Sequence, residues 1–139
     1  MERATVKFPA FAILVAVSVA KICSGAEHTK DSLDDVKRSL SEKKAILIDV
    51  REQKEWDNGH LQDARLLPLS QLRQISKDSA LQQKLEKDLP KDRIIYCHCG
   101  SGVRVLTASD ILGKLGYDIR PLAAGFDDLR EAGFSTAKK

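Results

Sequence analysis

The stretch IIYCHCGSGVR, residues 94–104, decides how this chain is read. An apolar run ends in Cys97-His98-Cys99. Two glycines and an arginine follow at once. A short apolar run bounded by turn residues reads as a buried strand. A glycine-containing step into Val103 and an apolar periodic segment reads as a strand-to-helix turn. The N–H groups that open such a helix have no partner within it and carry a partial positive charge. A thiolate placed there is stabilised and reactive. Glycines at 100 and 102 remove side chains and permit a tight curl with amides pointing inward. Arg104, in the first helical turn, adds a cation that an oxyanion would meet bidentately. The plainer alternative is a turn flanked by two buried, inert cysteines. At this level either cysteine is open as the nucleophile, as are a disulfide and a metal site.

Working outward, the chain alternates strand-like and helix-like segments. Residues 32–43 place Leu33, Val36 and Leu40 at helical spacing, with Ser32 and Asp35 as a capping pair. Residues 45–50, AILIDV, form a continuous apolar run, as buried parallel strands do. EQKEWDNG reads as a short polar helical turn and ARLLPL as a strand stopped near Pro68. Residues 70–75 and 79–89 read as helices. RIIYC is the next strand, 103–115 the next helix with Gly116 as its stop, DIRPL another strand, and 127–132 a last short helix. This alternation, with four strand-like segments, predicts an α/β domain, a mostly parallel sheet with helices on both faces. Ligands then sit beyond the carboxyl ends of the strands. Two such ends stand out, Asp49-Val50-Arg51 and Cys97-His98-Cys99.

The 139 residues suffice for one domain. Residues 1–26 differ in kind from the rest. Arg3 and Lys7 precede the uncharged apolar residues 8–20, and Ser24-Gly25-Ala26 follows. This is the order of a secretory signal peptide cut after Ala26, leaving a domain over 27–139. The apolar run is shorter than the roughly 20 residues of a spanning helix. Loss of Arg3, Lys7 and Lys21 against Glu2 brings the net charge of +3 close to zero. Nothing then suggests a nucleic-acid partner, and no basic run with interleaved aromatics occurs. Cleavage leaves Cys97 and Cys99, too few for a disulfide scaffold.

Three stretches together resemble the single-domain rhodaneses. LIDVREQKEWDNGHLQDARLLPL is similar to the family's D-V-R-E…E-[FY]-x-x-G-H-[IL]-x-G-A-x-x-[IL]-P, matching at Asp49, Arg51, Glu52, Glu55, Gly59, His60, Ala64 and Pro68. YCHCGSGVR is similar to the active-site C-x-x-G-x-R, and LAAGFDDL to L-x-G-G-x-x-x-W. Asp63 and Ala124 stand where the pattern has glycine, Leu129 where it has tryptophan, and Val105 where serine is common. In the family four residues separate the catalytic cysteine from the arginine. Cys99 fits that spacing to Arg104 and Cys97 does not. The resemblance therefore implies Cys99 as nucleophile, with Gly100, Ser101, Gly102, Val103 and Arg104 binding substrate and Cys97 packed as a small apolar residue. It also implies a rhodanese-like α/β fold, a mostly parallel five-stranded sheet with helices on both faces, and sulfur transfer through a Cys99 persulfide, from a donor such as thiosulfate to a thiophilic acceptor. No metal and no organic cofactor is called for.

Asp49, Arg51 and His60 read better as loop-fixing residues than as acid–base catalysts. A related phosphatase would need a loop one residue longer. A metal site on Cys97, His98, Cys99 and His60 conflicts with the alternating directions of adjacent strand residues. The remaining alternative is a non-catalytic sulfur-binding or thiol redox-sensing module. The leader-like start implies export, to a periplasm or beyond, with no stable membrane insertion after cleavage. N-terminal sequencing of the protein from its host should begin at Glu27; a chain retaining residues 1–26 in the membrane fraction would contradict export.

Overall fold

The computed structural model describes residues 25–138. The expected leader lies outside the described residues, except for Gly25 and Ala26. The elements run α1 (Leu33–Ser41), β1 (Ala45–Asp49), α2 (Gln53–Asp57), β2 (Ala64–Leu66), α3 (Leu69–Ile75), α4 (Ser79–Asp88), β3 (Ile94–His98), α5 (Arg104–Lys114), β4 (Asp118–Pro121) and α6 (Phe126–Glu131). The α1 start follows its capping pair, since the Asp35 N–H donates to Ser32 Oγ at 3.1 Å.

The sheet is wholly parallel, in the order β2-β1-β3-β4. It has four strands among the described residues, as the apolar pattern marks, where the resemblance implies five. The segment before α1 does reach the β4 edge, where the Thr29 N–H donates to the Pro121 carbonyl at 2.8 Å. Pro121 has no N–H to return, so no ladder grows from that bond. At the other end, Leu61 and Thr136 make only an isolated antiparallel bridge.

Strand periodicity divides the core in two. Ile46, Ile48, Ile95 and Cys97 face α3, α4 and α5, packing with Leu72, Ile75, Leu85, Ala108 and Leu112. Ala45, Leu47 and Tyr96 face the other way, toward Val36 of α1 and Leu129 of α6. Leu129 is fully buried there, so the residue replacing the family's tryptophan serves packing. Asp63 is exposed, Ala124 lies against the same core cluster as Leu129, and Val105 is buried in the first. Among the described residues no helix is long and apolar enough to cross a membrane.

β1 and β3 are the central strands and end side by side, with Asp49 paired in register to His98. There the α1/α6 face carries a buried polar group. His98 is wholly buried, its Nε2 without a hydrogen-bond partner and 3.6 Å from Asp49 Oδ2. Burial pushes the His98 imidazole below its usual range, although Asp49 opposes the shift and Arg51 adds to it. The folded state thus holds His98 neutral, while the unfolded chain takes up a proton near pH 6.5. This contribution to stability is present above that pH and lost as pH falls below it. Urea unfolding at about pH 7.5 and about pH 5 should show a loss steeper than in a His98→Leu variant, by up to roughly 1.4 kcal/mol per pH unit. Equal slopes in the two proteins would contradict a neutral buried His98.

Candidate active site

The loop 99–103 leaves β3 and enters α5. The Gly102 N–H donates to Cys99 Sγ at 3.2 Å. The N–H groups of Gly100, Ser101, Val103 and Arg104 have no acceptor among the described residues. A sulfur atom therefore lies at the start of an eleven-residue helix, within a curl of unpaired donors. Such a curl attracts an anion, and the positive end of the helix adds to the attraction. The sequence-assigned loop residues are brought together here through their backbones. Ser101 is exposed, and the Val103 side chain is 67% exposed and points away from any core.

What bends the loop is a second segment. Gly102 has φ +80°, and a Cβ there would overlap the carbonyl oxygen of Ala123. A Cβ on Gly125 would likewise overlap the carbonyl oxygen of Gly100. The Phe126 N–H donates to the Cys99 carbonyl at 2.9 Å, closing the contact. Both glycines are required by close backbone approach, and at Gly102 also by conformation. Gly125 is matched in the sequence only as part of a C-terminal pattern. Its contact with residue 100 has no local signal.

The two cysteines separate clearly. Cys97 lies inside β3, fully buried, with Sγ 3.9 Å from the Val105 carbonyl. Burial, with Cys99 nearby, pushes its thiol far above the usual range, so it stays a neutral thiol. Cys99 lies at the loop's mouth end, also buried, with its sulfur on the Gly102 amide. His98, between them, faces Asp49 on the opposite side of the sheet. The three side chains thus do not converge on one point.

Arg104, expected to bind substrate, is paired with a carboxylate in this structure. Its fork is already engaged: Nη1 donates to Glu55 Oε2 and Nη2 to Glu55 Oε1, both at 2.7 Å. The guanidinium lies across Gly100, with Nη2 3.2 Å from where a Cβ would stand. The Arg104 bonds hold the Glu55 carboxyl down at about 2, so it stays ionised throughout the neutral range. Glu55 Oε2 also accepts from the Glu52 N–H at 2.9 Å, so one carboxylate opens α2 and anchors the loop arginine. The sequence marks Glu55 as a motif match. The contact across 49 residues has no periodic signature.

The other motif residues hold loops. Arg51 grips the buried Asp49 carboxylate through Nε and Nη2 at 2.9–3.1 Å, donates to the Gly59 carbonyl at 2.8 Å and stacks over Phe126. His60 shares a 3.1 Å hydrogen bond between Nδ1 and the Trp56 carbonyl, and its ring lies flat on the Trp56 ring at 3.7 Å. Neither faces the sulfur.

Known proteins resemble this chain in sequence and in fold. Residues 32–132 match the family profile described as Rhodanese-like domain. The chain is 38% identical over 85 residues to the uncharacterized protein YqhL of Bacillus subtilis, the alignment covering 60% of each. It is 36% identical over 85 residues to a Schizosaccharomyces pombe protein named as a candidate mitochondrial thiosulfate sulfurtransferase, over 58% of this chain and 59% of that one. The matched region thus spans less than two thirds of these relatives. Among solved structures, the human single-domain sulfurtransferase TSTD1 superposes with a TM-score of 0.62 at 28% identity, covering 77% of this chain and 97% of that chain. A rhodanese-related protein of Thermoplasma volcanium has the same fold, with a TM-score of 0.60 at 24% identity, 77% of this chain and 95% of that one being covered.

Proposed function

Because this chain belongs to the rhodanese-like domain family over residues 32–132, we propose that it moves a sulfane sulfur from a donor such as thiosulfate to a thiophilic acceptor through a persulfide on Cys99. The observation that carries the reading is the Cys99 sulfur on the Gly102 amide, within a loop whose other amides are free to bind an anion.

The Cys99 thiolate attacks the outer sulfur of thiosulfate. The new Cys99–S bond forms as the donor's S–S bond breaks, and its electron pair leaves with sulfite. An acceptor such as cyanide then attacks the terminal sulfur, and the electron pair of the Cys99–S bond returns to Cys99. Negative charge is present at every stage beside the loop. Amides fixed in advance by the 123–125 contact stabilise that charge without reorganising. Each charge-assisted bond of this type is worth about 1.5–3 kcal/mol.

Arg104 and Glu55 supply a second element. Their side chains are 33% and 39% exposed, and a pair exposed to that degree contributes only about 0.2–1 kcal/mol. An entering sulfonate can therefore compete with Glu55 for the guanidinium and shift it from above Gly100. This uncovers a sulfur that is otherwise buried. Acting outside the cytoplasm, after loss of a leader, remains part of the same proposal and rests on residues 1–26 alone.

The reduced protein treated with thiosulfate should gain the mass of one sulfur atom, located on the Cys99 peptide and removed by cyanide. Cys99→Ser should neither gain the mass nor turn over thiosulfate and cyanide. Cys97→Ser should retain both, at a cost of about 1–3 kcal/mol from a buried hydroxyl. Persulfide on Cys97, or a Cys97–Cys99 disulfide in place of a persulfide, would instead support a redox-sensing module.

A further inference from the structure

The segment 26–31 precedes α1 and lies outside the family match, yet it is tied down across the site end of the sheet. The Thr29 N–H donates to the Pro121 carbonyl of β4 at 2.8 Å, a bond that cleavage after Ala26 leaves in place. Asp31 Oδ2 accepts from the Tyr96 hydroxyl of β3 at 2.7 Å and from Arg120 Nη1 of β4 at 2.8 Å. The Arg120 bond, then the Tyr96 bond, hold the Asp31 carboxyl below its usual range, so the anchor stays charged. Just before these anchors His28 Nε2 meets the Gly102 carbonyl oxygen at 2.6 Å. A carbonyl only accepts, so Nε2 carries the hydrogen. Nothing in the sequence singles out His28, because the contact joins residues 74 apart and no local pattern encodes it.

We propose that His28 is a positioning residue for sulfur transfer: it fixes the Gly102–Val103 peptide plane so that the Val103 N–H is offered to the anion beside Cys99. The proposal rests on the sulfur-transfer reading above. Its physical basis is the planarity of the peptide unit. The Gly102 carbonyl and the Val103 N–H belong to one trans unit and point to opposite sides, and the described residues contain no cis peptide bond. Holding the oxygen on the His28 side turns the N–H to the other side, where it has no acceptor within the described residues. Gly102, a glycine like Gly100, has no side chain to restrain its backbone. Three segments supply what it lacks: its N–H is on Cys99 Sγ, its Cα lies against Ala123, and its oxygen is on His28. Without the third, a flip of the Gly102–Val103 peptide would present a carbonyl oxygen to the anion in place of an N–H.

The test compares the wild-type chain with His28→Leu, which keeps bulk without a donor, and His28→Gln, which restores an N–H donor and takes up no proton. Two readings are taken. One is kcat/KM for thiosulfate. The other is the rate at which the reduced Cys99 peptide is alkylated by iodoacetate relative to iodoacetamide, which senses the anion cradle without turnover. His28→Leu should lower both the thiosulfate value and the iodoacetate preference about tenfold, the size of one charge-assisted hydrogen bond. His28→Gln should recover most of both. His28 is exposed, so His28→Leu should fold; if it does not, His28→Ala takes its place. Equal losses in the Leu and Gln variants, an equal slowing of both alkylating reagents, or no change would each overturn the proposal. A wild-type chain that transfers no sulfur would defeat the functional reading, while the alkylation preference would still decide the role of His28.

Discussion

Two stretches of backbone approach each other so closely that neither tolerates a side chain. Residues 100–102 and 123–125 meet at Gly102 against Ala123 and at Gly125 against Gly100. Everything distinctive about the site depends on this contact. It bends the chain leaving β3 so that the Gly102 amide reaches the Cys99 sulfur. The sheet makes the approach possible. β3 and β4 are parallel neighbours, so their carboxyl ends release both loops at the same edge of the molecule. The Leu122 N–H on the Cys97 carbonyl and the Phe126 N–H on the Cys99 carbonyl fasten the two segments at successive points.

Charge around the sulfur is balanced among the side chains. Arg104 is matched by Glu55 and Arg51 by Asp49, and His98 is kept neutral by its burial. The attraction for an anion is therefore left to backbone amides and to the first turn of α5. Amides offer a donor whose direction is set by the fold, which suits the charge that would move between sulfur atoms in the proposed transfer. A cation on a long side chain would follow the ligand with less precision and more entropy to lose. In the proposed reaction Arg104, held at the rim by Glu55, exchanges that partner for the incoming anion.

Much of the fold was legible because it rests on period. The alternation of apolar runs and helical spacing located all ten elements to within a few residues, from Ser32 capping α1 to Gly116 closing α5. The four strands observed are the four that the pattern marks; the fifth was expected only from the resemblance. At the site, the resemblance marked the loop through the spacing from Cys99 to Arg104, and Cys97 lies buried inside β3, as its place in an apolar run suggests. The partners of that loop were not legible. Glu55 on Arg104, Gly125 against Gly100 and His28 on Gly102 are contacts between residues 25 to 74 positions apart, which only the folded sheet brings together. The motifs contain Glu55 and Gly125 without stating what they touch.

The central claim is that backbone amides of the bent loop hold an oxyanion beside Cys99. Sulfite, which leaves a free thiol unchanged, is the direct probe. In a titration of the reduced, isotopically labelled protein followed by amide NMR, saturable shifts should centre on the N–H groups of Gly100, Ser101, Val103 and Arg104. Shifts scattered over exposed lysines and arginines, with these four amides unmoved at saturation, would contradict it.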